Sequence, residues 1–497
     1  MKIFLAEQIR EWDQYTISHE PISSIDLMER ASKKFTDELI NEQLISKEKK
    51  VVVICGSGNN GGDGLVVARL LERNGYKIKV LRIASENYSS DNEHNFQKLL
   101  ELGISVEELN KENILKVSEG AIIIDALLGS GVTKPLKGKY LEIVKTINKT
   151  KKEKVISVDL PSGLSCDGDF VVKDAIIADN TFTFQCPKLA FFFPESEKFI
   201  GVWKIVNIGL SQTYYEETQT PFFILNEFNV PSTKKRNLHA HKGTFGHANI
   251  IGGSYGKMGA VTLAAKAALR SGVGLVSATV PKCGVAILQT AIPEAMVRPT
   301  KGKKKSKRFD DIHDDEIDAI GIGPGLGTQK KTENAFNDFL LKKLTTPLVI
   351  DADALNLLAK QPYLLKKLPK NAILTPHPKE FERLFSVSVK NRFSQINKAI
   401  EQAKKLQVII ILKGAYTAIC LPSGTVYFNT TGNSGMATGG MGDLLTGILT
   451  GFLAQKYSPG ESALLGVYYH GYFGDKAYQK RKNALIPSDI LDEMALG

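Results

Sequence analysis

VVVICGSGNNGGDGLVVARLLERNGYKIKVLRI, residues 51–83, decides the fold of the first half of the chain. VVVIC has the length and β-branched content of a buried strand, and GSGNNGGDG after it is a glycine-rich loop. LVVARLLERNG has helical spacing, and KIKVLRI returns as a second strand. A strand, a helix and a further strand at this spacing make a right-handed βαβ unit, which implies a mostly parallel sheet. AIIIDALLG (121–129), VISVDLPSG (155–163) and NTFTFQCPK (180–188) continue the series. Residues 5–42 have helical spacing and should cover one face of the sheet.

The rhythm falters between about residues 210 and 240, where SQTYYEETQTPFFIL and NVPSTKKRNLHAHKG read as linker. A second α/β series starts at HANIIGGS (247–254), followed by the alanine-rich helix AVTLAAKAALRSG. GLVSATVP, DAIGIGPG, TPLVIDADAL, AILTPHP and VIIILKGA supply further strands, and LPSGTVYF has the look of a hairpin. The expectation is two α/β domains, 1–222 and 223–497, the first a Rossmann-like three-layer fold. Each is long enough to bury its own core.

Composition sets outer bounds. Apolar residues make up 43% and charged residues 24%, which excludes disorder and coiled coil as the main state. No apolar stretch reaches the roughly 18 to 20 residues that span a bilayer, and MKIFLAEQIREWDQ lacks the apolar centre of a signal peptide. Five cysteines at unrelated spacings do not form a disulfide framework. A soluble, cytoplasmic protein is expected. The formal charge of +11 owes six units to Lys301, Lys303, Lys304, Lys305, Lys307 and Arg308 in the run KGKKKSKR, which reads as a solvated, mobile loop. No aromatic residues are interleaved there for base stacking, so nucleic acid is not the expected partner.

GSGNNG (56–61) matches the dinucleotide fingerprint G-x-G-x-x-G between a strand and a helix. Asp63, however, sets a carboxylate where a pyrophosphate would bind, and no clean acidic residue follows the second strand. An ordinary dehydrogenase and a ligand-free turn both remain open on these residues alone. Asn60, Asp125, Asp159 and Ser162 stand at strand ends, where parallel sheets place ligands, and their oxygens suit a hard cation or proton transfer. Helix capping explains any one of them equally well. In the second half TGNSGMATGGMGDLLTGILTGFL (431–453) is a glycine loop opening into an apolar helix, an arrangement that holds transferring phosphate. Asp443, at its junction, could accept a proton from an attacking hydroxyl or serve only as a helix cap. Lys413 at a strand end can meet a phosphate or stand solvated, Asp351 and Asp353 can help to hold a nucleotide's cation, and His377, held between two prolines, can be a rigid substrate ligand or an exposed side chain. His239, His241 and His247 lack the companions of a zinc site.

Taken together these residues resemble a known family. GNNGGDG, DALLGSG and VDLPSG look like the epimerase domain of bifunctional NAD(P)H-hydrate repair enzymes. HKGTFGHANIIGGS, GIGPGLG, DADALN, LTPHP, LKGAYT and GNSGMATGGMGD are similar to the dehydratase domain, which has a ribokinase-like α/β/α fold. The resemblance spans nearly the whole chain. It implies an isomerase that interconverts the R and S forms of hydrated NADH and NADPH at C6, and a lyase that dehydrates the S form with ADP as phosphoryl donor. By the resemblance Asn59, Asn60, Gly61, Gly62, Asp63, Gly129, Ser130, Gly131, Val132, Thr133, Lys134, Pro135 and Asp159 would bind substrate in the first domain, with Asp159 as acid/base. Asn60, Asp125 and Ser162 would hold potassium. Ala260, Gly325, His377 and Asp443 would contact the hydrate in the second domain, with Asp443 as base. Lys413, Gly414, Ala415, Tyr416 and Thr417 would hold ADP, which brings Mg2+, together with Asn433, Ser434, Gly435, Met436, Ala437, Thr438, Gly439, Gly440, Met441 and Gly442. The implied partners are the hydrates and ADP, with neither nucleic acid nor membrane, and the expected assembly is a homo-oligomer. Met441 replaces the family's frequent Ser or Thr, a change expected to narrow the phosphate loop, and the lysine run at 301–308 looks specific to this lineage.

Two readings compete with the repair enzyme. A small-alcohol kinase would share the Asp443 loop but consume ATP, and a nucleotide sensor would have no use for a positioned base.

Overall fold

The computed structural model describes residues 1–309, 316–342 and 344–495 of the chain. It divides into two compact units, one of residues 2–220 with 390–394 and one of 221–389 with 395–497 and Met1. Among the described residues no helix is long and apolar enough to cross a membrane.

In the first unit seven strands form one sheet, each pair parallel. The spatial order is Val106–Glu108, Lys77–Arg82, Lys50–Cys55, Ile122–Ala126, Lys154–Val158, Asn180–Phe184 and Val202–Val206. The order reverses between Lys50–Cys55 and Ile122–Ala126, and that switch point opens a crevice at the strands' carboxyl ends. The predicted amino-terminal helical cover is two helices, Ala6–His19 and Ser24–Asn41. Leu27, Ala31, Phe35 and Leu39 pack there with Val51 and Val53, while Val52, Ile54 and Ile123 face a second core with Ile143, Val144 and Ile147.

The structure differs from the reading of GSGNNGGDG as loop. The helix begins at Asn59, so Asn59 to Asp63 form its first turns. The glycines there are spacing devices: a Cβ at Gly56 would lie 1.8 Å from the Leu127 carbonyl, and one at Gly64 only 2.6 Å from Ala126 Cβ.

The second unit is built on a parallel run of seven strands. Their order is Ile409–Leu412, Ile373–Leu374, Leu348–Ile350, Ala319–Ile322, His247–Ile251, Leu275–Pro281 and Met296–Thr300. The expected hairpin is present, Ala418–Cys420 pairing antiparallel with Ile409–Leu412 and with Val426–Asn429. Part of the presumed linker is itself a strand, Phe222–Leu225, parallel to Val426–Asn429. Four apolar residues among polar neighbours gave no alternation, and only the partner strand fixes them.

Helix Met441–Ala454 packs against helix Met258–Arg270, with Leu445 and Leu449 meeting Val261, Ala264, Ala265 and Ala268 over Val349 and Ile411. The approach is close because Gly447 and Gly451 lack side chains: a Cβ at Gly447 would lie 2.0 Å from the Ala264 carbonyl and one at Gly451 1.8 Å from Ser271 Oγ. Gly447→Ala should therefore destabilise the protein by about 3 kcal/mol despite alanine's better helix propensity. Thermal melting checks this, and an unchanged melting temperature would refute the close approach.

Candidate functional site

Two sites assemble at the carboxyl ends of the two sheets. In the first, Asp125 closes the strand Ile122–Ala126 and is fully buried. Its carboxylate accepts from Ser162 N (2.9 Å), Ser162 Oγ (2.6 Å), Ser157 Oγ (2.9 Å) and Leu127 N (3.3 Å). Burial still pushes its pKa up against these donors. Ser162 Oγ also accepts from Leu128 N at 2.7 Å, tying the two strand-end loops together. Asn60 stands beside Gly129, where an added Cβ would come within 3.1 Å of Asn60 Cβ, and the Asn60 amide nitrogen is buried with no protein partner. Asn60, Asp125 and Ser162 thus border one loop, Leu127 to Gly129. Asp125, Ser162 and Asn60, the last through its amide oxygen, would offer oxygen ligands and a single carboxylate to a hard monovalent cation. The loop onward from Ser130 to Pro135 is largely exposed.

Asp159 sits in the left-handed region at φ 64°, a conformation that costs a non-glycine residue free energy. Its carboxylate accepts from Phe184 N at 2.9 Å and Thr183 Oγ1 at 3.3 Å, and pairs with Lys188 Nζ at 2.7 Å. Lys188 is completely buried, its ammonium also bonding the carbonyls of Phe184 (3.1 Å) and Cys186 (3.4 Å). Burial alone would lower its pKa, but the Asp159 charge outweighs that and raises it, so the lysine stays charged. Asp13, on the helix Ala6–His19, is pushed up to about 7 by burial and by the Asp159 charge, with Lys188 opposing. Asp63 is raised as well, first by burial, while Ser32 Oγ donates to it at 3.1 Å. Sequence reasoning missed Asp13 and Lys188. For Lys188 the signal was a lysine inside the apolar run CPKLAFFF, and for Asp13 a carboxylate one residue from the buried Trp12.

In the second unit the glycine loop leads into helix Met441–Ala454 through Gly440 at φ 98°. The loop's start is pinned from behind, because Asp475 accepts from Gly432 N (2.9 Å) and Asn433 Nδ2 (2.8 Å). Ser434, Ala437, Thr438 and Gly439 are exposed, and the first N–H groups of the helix have no partner within it. Met441 does not narrow the loop as expected: its side chain is buried with Leu444, Ile448 and Phe473. Asp443, in the first turn, is pushed up to about 6 by burial and by the charge of Asp351, with Lys413 opposing.

Lys413 Nζ pairs with Asp351 Oδ1 at 2.8 Å, and Thr446 Oγ1 donates to Asp351 Oδ2 at 2.8 Å. Burial would raise the pKa of Asp351, but Lys413 and these donors hold it below the usual carboxylate range. Asp351 is therefore occupied by lysine, while Asp353 accepts from Gly327 N at 2.8 Å. The ammonium of Lys413 lies at the helix start, 3.5 Å from where a Cβ on Gly442 would be. Lys413 and Asp443 thus share the end of the loop. Gly325 at φ 61° adjoins Ala260, whose Cβ would be 3.2 Å from a Cβ on the glycine. His377 caps helix Pro378–Phe385, its Nδ1 accepting from Glu380 N at 3.4 Å, and the ring is about half exposed. His247, one of the three histidines weighed for zinc, is buried and spends its Nε2 on Ser277 Oγ.

Two family models match the chain: YjeF-related protein N-terminus over residues 24–190 and NAD(P)H-hydrate dehydratase over residues 248–495. The bifunctional NAD(P)H-hydrate repair enzyme of Moorella thermoacetica is 35% identical, over 99% of this chain and 96% of that one. Its namesake from Coxiella burnetii is 34% identical over 99% and 98%, and that of Escherichia coli 32% identical over 85% and 80%. A solved ADP/ATP-dependent NAD(P)H-hydrate dehydratase from Bacillus subtilis is 30% identical, covering 55% of this chain and 96% of that chain with a TM-score of 0.46. Nearly full-length matches at this identity, covering both halves in one order, settle the relationship: the chain belongs to the family of bifunctional NAD(P)H-hydrate repair enzymes.

Proposed function

We propose that the chain restores hydrated NADH and NADPH, with an epimerase in residues 1–222 and an ADP-dependent, ribokinase-like dehydratase in residues 223–497. The observation that carries the reading is Asp443, with its raised pKa, beside Lys413 at a glycine loop in a chain of this family. Water added to the nicotinamide ring leaves a C6 alcohol that cannot donate hydride, and hydroxide is a poor leaving group. Asp443 takes the C6 hydroxyl proton as that oxygen attacks the β-phosphorus of ADP. AMP departs with the bridging oxygen, and the glycine loop and Lys413 hold the charge that develops on the phosphoryl group. Phosphate then leaves C6, pushed by the ring nitrogen, and a ring proton is lost to give NAD(P)H. Magnesium arriving with ADP offsets phosphate charge. Lys413 to Thr417 and Asn433 to Gly442 hold the nucleotide; Ala260, Gly325 and His377 hold the hydrate.

In-line transfer accepts one configuration at C6, so the other epimer needs the first unit. There Asp159 exchanges the proton, and Asn59 to Asp63 with Gly129 to Pro135 bind the dinucleotide. Potassium held by Asn60, Asp125 and Ser162 would supply a fixed positive charge beside the substrate's phosphates.

The test mixes the chain with both hydrate epimers, ADP, Mg2+ and K+, and follows the near-ultraviolet absorbance of reduced nicotinamide. Complete recovery with release of AMP and phosphate is expected. No recovery with ADP untouched would sink the reading, and a phosphorylated alcohol made from ATP would favour the kinase. Exchanging K+ for a bulky organic cation should slow epimerisation and lower the melting temperature of the native chain, and Asp125→Asn should be insensitive to the exchange. Equal K+ dependence in both proteins would refute the cation site.

A further inference from the structure

The repair reading leaves the lysine run unused, although the run lies on the same edge of the second unit's sheet as the hydrate site. Lys413 follows the strand Ile409–Leu412, and Asp351 follows Leu348–Ile350. Gly325 follows the next strand, Ala319–Ile322, and Ala260 opens the helix after His247–Ile251. Nucleotide and hydrate are thus laid side by side along the carboxyl ends. Beyond the hydrate, and away from the nucleotide, lie the ends of Leu275–Pro281 and Met296–Thr300, followed by Lys282 and Lys301. From Ala319–Ile322 to Met296–Thr300 is three strand spacings, roughly 14 Å. A dinucleotide whose nicotinamide sits at Gly325 must send its other half somewhere, and this direction alone leads away from ADP along the sheet edge.

What waits there is a built turn rather than the mobile loop expected from the sequence. Lys282 N and Cys283 N donate to the carbonyls of Gly302 (3.0 Å) and Lys303 (2.9 Å), and Lys307 N donates to Lys301 O (3.0 Å). Ser306 is fully buried, accepting from Thr300 Oγ1 at 3.0 Å. Gly302 is required by its φ of 139°, since a Cβ there would lie 2.1 Å from the Lys305 carbonyl. The turn also reaches back to the hydrate site. Tyr255 N donates to Lys304 O at 2.8 Å, and the neighbouring Ser254 Oγ donates to Gly325 O at 2.8 Å. The Tyr255 ring is 68% exposed, with Lys304 Nζ 4.7 Å from its centroid. With one ammonium over one face, the exposed ring leaves its other face for a purine, and the ammonium stands ready for a phosphate that the purine carries.

We propose that Tyr255 and the turn Lys301–Arg308 form the subsite for the adenosine end of the hydrated dinucleotide, and that its lysines select the 2′-phosphorylated hydrate, NADPH hydrate, over NADH hydrate. The inference rests on the repair reading. Adenine stacks on Tyr255, and the dianionic 2′-phosphate, the one group that distinguishes the two substrates, falls among Lys303, Lys304, Lys305 and Lys307. The attraction is between solvent-exposed charges, so it weakens with salt.

The experiment compares kcat/KM for the two hydrates at saturating ADP in the native chain, in a variant with Lys303, Lys304, Lys305 and Lys307 each changed to Ser, and in Tyr255→Ala. The native chain should favour NADPH hydrate by about tenfold or more at low salt, and the lysine variant should bring the ratio near parity. Tyr255→Ala should weaken both hydrates alike, and the KM for ADP should move by less than about twofold throughout. Parity in the native chain, or a preference that the lysine variant retains, would overturn the proposal. Calorimetric binding of NADPH and NADH to the same three proteins keeps the two readings apart. A chain that turns over neither hydrate has lost the repair reading. The subsite still stands if NADPH binds more tightly through these lysines, and falls if it does not.

Discussion

Asp443→Asn should lose ADP-driven dehydration by about a hundredfold to ten-thousandfold, the range over which a positioned base contributes, while still binding ADP. The amide keeps the shape of the helix start and removes only the ability to take a proton. The pH profile carries the same signature. With its carboxyl pushed up to about 6 by burial and by the neighbouring charge of Asp351, Asp443 is ionised above that value, so kcat should rise through it and level off. A profile flat from acid to neutral pH would show that another group takes the proton. Stability should move the opposite way. A carboxyl whose pKa is higher folded than unfolded costs stability once ionised, a cost fully present above about 6 and absent below the ordinary 3.8. Asp443→Asn should therefore melt above the native chain at neutral pH, and the gap should close on acidification.

The second large effect lies in the first unit. Asp159→Asn should abolish epimerisation, so that recovery from mixed hydrates stops at the S fraction, and it should also weaken the fold. Lys188 is wholly buried and its ammonium is 2.7 Å from the Asp159 carboxylate. Neutralising the aspartate strands a buried charge, a loss of roughly 3–5 kcal/mol. Adding Lys188→Met to Asp159→Asn should recover most of that stability and none of the activity. Calorimetry with an epimer-resolved assay separates the two, and a single variant as stable as the native chain would refute the buried pair.

The alternation of strands and helices was legible because long apolar runs at regular intervals leave few other solutions, and the glycine loops were legible because they are local. The strand Phe222–Leu225 was not, since its pairing with Val426–Asn429 lies far off in sequence. The helix start at Asn59 was hidden by glycines, which depress helix propensity but are tolerated where neighbours approach too closely for a Cβ. Asp443, Asp159 and Lys413 stood out beside motifs. Asp13 and Lys188 reach the same crevice from elements with no motif, and only the fold reveals that burial has made them partners of Asp159. The lysine run was visible as charge, while the turn that organises it depends on backbone bonds to residues twenty or more positions earlier.

The strand Phe222–Leu225 also sets a timetable. It leaves the ribosome about 200 residues before Val426–Asn429, the strand it lies beside in the finished sheet. Until then one margin of the growing sheet offers unpaired backbone groups, the kind of edge along which nascent chains stick to one another. A chain stalled in translation soon after this strand would carry residues 2–220 without the segment 390–394 that packs with them and with this adhesive tail attached, so truncated products should be found with chaperones or in aggregates rather than as free half-enzymes.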